Sequence, residues 1–177
     1  MSTMRKASRE MPAEWALEVM RKAPYITVSF IREDGTAYGL PLSLASAGED
    51  GRVWYFHCAQ EGEKLGAIAA HPEVCLSAVS KCSPTVGPKD GSFTLQYHSA
   101  VAFGRAETVK DEAEKIHALR LICERFLPRH MDAFDESVRR SLHRTAVVRI
   151  TLTAPPTGKR KQYDREGEEM KYGRMEQ

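Results

Sequence analysis

Three segments rich in β-branched and aromatic residues, separated by short glycine-containing turns, limit the fold of this chain more than any other feature. The segments are residues 25–32, 38–47 and 52–58, and the turns are residues 33–36 and 48–51. Turns this short join antiparallel neighbours, because a parallel pair needs a crossover of a dozen or more residues. The first third of the chain therefore predicts an antiparallel meander.

The rest of the chain alternates further strands with helices. Helical spacing predicts helices over residues 10–22, 111–126 and 132–142 and a short one that ends at His71-Pro72, whereas residues 82–92 have the prolines and glycines of a loop. Further strands are predicted over residues 73–81, 93–109 and 145–153. About six strands, mostly consecutive, with helices packed outside them favour a small antiparallel barrel of the mainly β or α+β class.

Length and composition indicate one domain. The chain has 177 residues, enough to bury a sizeable core, and we expect a single domain over residues 1–154. After Pro155-Pro156 the sequence becomes polar and charged. Residues 155–177 are predicted to form a C-terminal arm, and the composition leaves open whether that arm is ordered or partly disordered.

Charge and hydropathy exclude several functional classes. The 26 basic and 24 acidic residues nearly balance, which argues against a dedicated nucleic-acid binder. No apolar run is long enough for a membrane span, and no apolar segment follows the basic residues at the N-terminus, so a secretory signal is not expected. The cysteines form no CxxC pair and have no histidines at zinc-ligand spacing, so we predict reduced thiols, a cytoplasmic location and no metal site.

The first candidate site is the segment of residues 38–43, which contains Pro41 inside an otherwise good strand. Proline removes one hydrogen bond of the strand ladder, so neighbouring backbone groups could face a ligand such as the edge of a planar flavin ring. The alternative is an edge strand on which proline prevents aggregation. From the residues alone, the edge strand is the favoured interpretation.

The second candidate site is the passage from a strand into a helix over residues 55–64. A helix N-terminus offers unpaired N–H groups to a phosphate, Gly62 permits close backbone approach, and Lys64 adds a positive charge. Glu61 and Glu63 would oppose a phosphate, so an ordinary helix start is the alternative. Alternation places Tyr55 and His57 on one strand face and the residues between and beside them on the other.

The third candidate site is the long strand over residues 96–106. Tyr97, Ser99, Val101, Phe103 and Arg105 share one of its faces. Polar groups at one end of this row and apolar groups at the other could line a pocket or an interface. They also fit the ordinary two-sided pattern of a barrel strand, and that interpretation is favoured from the residues alone.

Taken in order along the chain, these segments resemble the 5-nitroimidazole resistance proteins, a branch of the pyridoxamine 5'-phosphate oxidase-like, FMN-binding split-barrel superfamily. The resemblance rests on residues 4–10, 38–43, 55–64, 71–75, 97–106 and 157–159. It spans nearly the whole chain up to Lys159. It implies a split β-barrel and a homodimer with flavin bound at the interface between the subunits.

The resemblance also implies roles for particular residues. His57 would lie nearest the reacting centre as the catalytic residue, and Tyr97 and Ser99 would reach the flavin from the second subunit. Two departures from the family pattern are Cys58, where a glycine is expected, and the absence of the basic C-terminal motif of true pyridoxamine-phosphate oxidases, which makes pyridoxamine phosphate an unexpected substrate. The full set of implied cofactor-binding residues is Pro41, Leu42, Ser43, Phe56, His57, Cys58, Ala59, Gly62, Lys64, Tyr97 and Ser99.

The implied function is that of an FMN-dependent oxidoreductase which passes electrons from a small donor to a small acceptor such as a nitroaromatic compound or a quinone. FAD in place of FMN remains open. Because the chain has no glycine fingerprint of a dinucleotide-binding domain, a nicotinamide donor would bind only transiently at the flavin. The alternatives are a haem-binding split-barrel protein and a flavin-binding protein without catalytic turnover.

Overall fold

The computed structural model describes residues 4–173 of the chain. Within that range it has nine strands and four α-helices. The strands are β1 Glu10–Met11, β2 Ile26–Ile31, β3 Ala37–Leu42, β4 Ala45–Ala47, β5 Val53–Ala59, β6 Glu73–Val86, β7 Phe93–Thr108, β8 Thr145–Leu152 and β9 Thr157–Lys161. The helices are α1 Ala13–Lys22, α2 Glu63–Ala70, α3 Glu112–Phe126 and α4 Phe134–Ser141.

The chain forms two compact units. The larger consists of Tyr25–Leu76 and Phe103–Ala154, and the smaller takes in residues 4–24, 77–102 and 155–173. Strands β6 and β7 each run from one unit into the other, so the units are linked by continuous strands as well as by turns.

The larger unit is built on antiparallel strand pairs. Strand β2 pairs with β3, while β5 pairs with β4 on one side and β8 on the other, and β8 pairs in turn with β7. Trp54 and Phe56 on β5 are buried on one face, where Phe56 packs edge-on against Phe30 with their ring centroids 6.4 Å apart. Tyr55 is buried on the other face, so β5 has protein on both sides.

Helices α3 and α4 cover the Tyr55 face of β5. Their apolar residues Ala118, Ile122 and Phe134 form one buried cluster with Tyr55 and Val147. Helix α3 begins where the sequence predicts, because the Asp111 carboxylate accepts a hydrogen bond from the Glu114 N–H at 2.7 Å. The helices therefore lie outside the strands, as expected.

The smaller unit is organised around β9, which lies between β1 and β7. Lys159 of β9 is opposite Glu10 on one side and Ser99 on the other. Helix α1 packs on this strand through Trp15, whose ring also contacts His98 at a centroid distance of 5.2 Å. A side chain at Gly158 would approach the Trp15 ring to 2.8 Å, so glycine permits the close contact between helix and strand.

The antiparallel α+β class predicted from the sequence is confirmed, but the strand count is nine rather than about six. The segment 38–47 divides into β3 and β4, because the chain stops pairing with β2 at Leu42 and begins pairing with β5 at Ala45. The loop predicted for residues 82–92 is shorter, since β6 continues to Val86 and the turn closes when Gly87 N–H donates to the Ser92 carbonyl at 2.7 Å.

Two further differences involve the chain termini. The helix predicted for residues 10–22 begins only at Ala13, and Glu10–Met11 instead pairs with β9. In the predicted C-terminal arm, Thr157–Lys161 is a paired strand. The sequence of neither β1 nor β9 predicts a strand by itself, because each strand forms by pairing with a segment that is distant in the chain.

Candidate functional site

Pro41, Leu42 and Ser43 lie where the chain leaves one strand and joins another. Pro41 is opposite Thr27, and among the described residues β3 pairs with no strand but β2, so proline stands in an edge strand, where it is usually found in sheets. The next residue, Leu44, is fully buried, and its carbonyl accepts a hydrogen bond from the Arg125 guanidinium of α3. Helix α3 thus holds the crossover between β3 and β4.

Strand β5 directs its residues to two faces, as the alternation predicts. The Phe56 side chain is buried against Phe30, so only its backbone remains available to a ligand. His57 lies on the opposite face with Tyr55 and keeps access to solvent, while the protein around its ring lowers the pKa of the imidazole by desolvation. At neutral pH, His57 is therefore an uncharged donor and acceptor of hydrogen bonds.

Cys58 and Lys64 interact electrostatically where β5 passes into α2. Burial raises the pKa of the Cys58 thiol, and the Lys64 ammonium partly offsets that rise. The thiol is therefore protonated at neutral pH. Between these two residues, Ala59 is exposed at the end of the strand. The junction thus combines a positive charge with a neutral thiol.

The N-terminus of α2 is open. Gly62 has φ of +138°, a conformation that L side chains rarely adopt, and the space beside its Cα is empty within 4 Å. No side chain caps this helix end, so the N–H groups of its first turn point outward without a side-chain acceptor. Glu63, which would repel an anion, is bound by the guanidinium of Arg32. The ion pair therefore reduces the repulsion that Glu63 would exert on a phosphate at this helix end.

A cavity of about 480 Å³ lies in the larger unit between the helices and the ends of β5 and β8. Apolar residues of α3 and α4, among them Leu119, Ile122 and Phe134, form much of its wall. Among the described residues, no carboxylate lines it. Its polar lining residues are His57, Cys123, His130, Ser137, Ser141, Arg144 and Thr145.

Tyr97 and Ser99 belong to the smaller unit and lie side by side with β9. The Lys159 ammonium is 5.9 Å from the centroid of the Tyr97 ring, and the Ser99 hydroxyl donates to the Lys159 carbonyl at 3.3 Å. Both residues are half-buried on the face of β7 that the alternation predicts. The other predicted site residues all lie in the larger unit.

The structure therefore brings five of the predicted residues, His57, Cys58, Ala59, Gly62 and Lys64, along one strand-to-helix junction. Two features were not found by sequence reasoning. Arg32 pairs with Glu63 across 31 positions, for which the sequence has no signal. The cavity beside His57 was missed too, although the apolar face of α4 was visible in the sequence.

The described part of the chain has neither a helix suited to a membrane span nor a cluster of potential metal ligands. None of its helices combines the length and the hydropathy needed to cross a membrane. Over residues 4–173, no three histidine, cysteine or acidic side chains come together in a way that could hold a metal ion.

The sequence of this chain matches one known protein family. The family model described as pyridoxamine 5'-phosphate oxidase matches residues 12–159. The chain belongs to this family. Comparison with curated proteins by sequence finds no match. The resemblance derived from the short motifs is thus confirmed, although a family label does not specify a substrate.

Solved structures similar to this member of the pyridoxamine 5'-phosphate oxidase family share its fold at low identity. One is a protein assigned to 5-nitroimidazole antibiotic resistance from Bacteroides thetaiotaomicron (TM-score 0.70, 20% identity, 85% of each chain covered). A second is a flavocytochrome from Azotobacter vinelandii (0.73, 19%, 99% of this chain and 84% of that chain). A third is an FAD and haem binding protein from Mycobacterium smegmatis (TM-score 0.74, 19% identity, 94% of this chain and 83% of that chain covered). The shared fold is the split barrel of the family.

Proposed function

We propose that this protein binds a flavin, FMN, and reduces small acceptors such as nitroaromatic compounds or quinones. The observation that carries the proposal is the junction of β5 and α2, where an uncapped helix end, Gly62 and Lys64 meet. Structures similar to this chain support a flavin, because they include a flavocytochrome, an FAD and haem binding protein and an FAD-binding protein.

The junction fits the phosphate of a flavin mononucleotide. The first N–H groups of a helix and its dipole favour an anion, and at Gly62 no side chain blocks the approach to them. Lys64 adds a charge-assisted contact. The ion pair with Arg32 offsets part of the negative charge of Glu63, one of the two carboxylates that would oppose a phosphate here. Bound there, the flavin would supply the electron transfer.

His57 acts on the acceptor as a hydrogen-bond donor. Since desolvation lowers the pKa of its imidazole, the ring is neutral at physiological pH and can donate one N–H to a nitro or quinone oxygen. Its accessible position on the helix-facing side of β5 leaves the ring free to meet a small molecule. The Cys58 thiol, held protonated by burial, would stay unreactive beside it.

The flavin site is completed, in this proposal, by a second copy of the chain. Strand β7 exposes apolar residues at every second position at both ends: Phe93 is 92% exposed, Leu95 45%, Val101 38% and Phe103 59%. Such a row is unusual on the surface of a monomer and is typical of an interface. Tyr97 and Ser99 occupy the middle of the same row, so a second subunit seated on it would contact them.

The proposal is tested first by the visible absorption spectrum of the purified protein and by mass spectrometry of any released chromophore. A flavin spectrum is expected, and the released mass distinguishes FMN from FAD. A haem Soret band, or a colourless protein that takes up no added flavin, would refute the proposed cofactor. Sedimentation analysis of the same sample should give a dimer, and Phe103→Asp should shift it towards the monomer.

Two variants separate binding from turnover. Lys64→Ala should weaken FMN binding about tenfold, the loss expected for one hydrogen bond to a charged group, whereas Lys110→Ala, an exposed lysine after β7, should leave it unchanged. His57→Ala should retain the flavin but slow reoxidation of the reduced protein by a nitroaromatic acceptor. Equal rates in His57→Ala and the wild type would remove His57 from the mechanism, and no turnover in either would leave a flavin-binding protein.

A further inference from the structure

The cavity between α3, α4 and the ends of β5 and β8 has the size and wall of a small-molecule site. Its volume of about 480 Å³ lies within the range of roughly 300–1,000 Å³ that is typical of ligand pockets. Apolar side chains of two helices line one part of it, and Phe134 adds an aromatic ring. A ligand would therefore bury a mainly apolar body here.

The polar groups of the cavity gather at the ends of the two strands. His57 on β5 is opposite Val147 on β8, and Thr145 lies two residues further along β8. Arg144 directly precedes Thr145 in the chain. Because residues two apart in a strand share a face, the His57 ring and the Thr145 side chain line the same end of the cavity. One end is thus polar and the helical wall is apolar.

The cavity wall carries the positive charge of Arg144, and no carboxylate among the described lining residues balances it. The Arg144 guanidinium has no ion pair or hydrogen bond to any residue in the described part of the chain. Two carboxylates of α4 are bound elsewhere: Asp135 pairs with Arg120 at 2.9 Å and Glu136 with Arg140 at 3.9 Å. A guanidinium at the edge of an apolar cavity favours an anionic partner, which it can bind through two parallel hydrogen bonds.

Hydrogen bonds within the protein restrict which groups can donate. The Ser141 hydroxyl donates to the Ser137 carbonyl at 2.8 Å, and the Thr145 hydroxyl donates to the Ser141 carbonyl at 2.8 Å. Both hydroxyl protons are thus already used, and these oxygens can only accept. Arg144, the ring N–H groups of His57 and His130 and the Ser137 hydroxyl remain the main donors at the cavity. This set of donors suits an oxyanion better than a cation.

We propose that this cavity binds a small, largely apolar molecule that carries one anionic group, such as a carboxylate on an aromatic body, with the anion at Arg144 and the body against α3 and α4. The assignment rests on the cavity and on the groups that line it, not on flavin binding. A protein that lacks flavin but binds such an anion would refute the proposed function and leave this inference standing.

Calorimetric titration of the purified protein with three probes of one shape tests the charge preference. The probes are 2-naphthoate, 2-naphthylmethanol and 2-naphthylmethylammonium. We expect 2-naphthoate to bind at least about tenfold more tightly than the alcohol, as one charge-assisted contact would give, and the ammonium to bind most weakly. Equal affinities for the three, or no binding of 2-naphthoate, would overturn the proposal.

Matched variants locate the site. Arg144→Gln should reduce the affinity for 2-naphthoate about tenfold and leave that for the alcohol unchanged. Arg139→Gln, an equal charge change on α4 outside the cavity, should alter neither. Ser137→Trp should fill the cavity and abolish binding of both probes, with folding checked by circular dichroism. If Arg139→Gln and Arg144→Gln weaken 2-naphthoate equally, the anion does not bind at Arg144; if Ser137→Trp folds and binds both probes normally, the cavity is not the site.

Discussion

The hydrogen bond between Tyr55 and Glu114 should hold α3 against the strand that carries His57. The Tyr55 hydroxyl donates to Glu114 Oε1 at 2.9 Å, and the same oxygen accepts from Arg149 Nη1 at 2.6 Å. Tyr55 is buried, and desolvation together with the Glu114 bond raises the pKa of its hydroxyl, so it remains a donor at all working pH values. The contact is therefore a charge-assisted bond with a partly desolvated donor.

Its magnitude follows from what each substitution leaves behind. Tyr55→Phe removes the donor while Glu114 keeps Arg149, so we expect a loss of about 1–1.5 kcal/mol in the free energy of unfolding. Glu114→Ala leaves the buried Tyr55 hydroxyl without its acceptor and removes one partner of Arg149, which still binds Glu107 at 2.8 Å. For this variant we expect a loss of about 2–3 kcal/mol in the free energy of unfolding. The double variant should cost less than the sum by about 1 kcal/mol.

Urea denaturation followed by far-ultraviolet circular dichroism measures all four free energies. Glu112→Ala is the matched control, because it removes a carboxylate from the same first turn of α3 and should cost only the dipole contribution of about 0.3–1 kcal/mol. If the two single effects add within about 0.3 kcal/mol, the Tyr55–Glu114 bond contributes no coupling and the reasoning is wrong.

Two other predictions concern close packing and pH. Gly158→Ala would place Cβ 2.8 Å from the Trp15 ring, so it should lower the free energy of unfolding by about 1–3 kcal/mol, whereas Gly66→Ala, with open space around it in α2, should raise stability slightly in the same melting assay. Burial lowers the pKa values of His57 and His98 in the folded chain, so the unfolded chain binds more protons. Their contribution to stability is full above about pH 6.5 and is lost as pH falls through the folded pKa values. The variant His57→Asn/His98→Asn should lose less stability than wild type between about pH 7 and 5 in urea titrations, and an equal loss would contradict this account.

Local patterns in the sequence were sufficient for most of the larger unit. Turns at residues 33–36 and 48–51 predicted the antiparallel order, because short turns permit only neighbouring strands. Asp111 predicted the start of α3, since a side-chain cap acts within one turn of helix. Alternation along β5 assigned its residues to the correct faces, because successive side chains in a strand point to opposite sides.

Features that depend on distant partners were decided only by the tertiary structure. Strand β1 has two residues, too few for any period, and it exists because β9 lies beside it. In the sequence, Glu63 does not differ from an ordinary solvated carboxylate. Only the fold places Arg32 beside it. Likewise, Arg144 is one of many arginines in the sequence, and its place at an apolar cavity arises from the packing of α3 and α4 over β5 and β8. A residue's backbone preferences are local, whereas its partners and its solvation depend on chain segments that only the folded structure brings together.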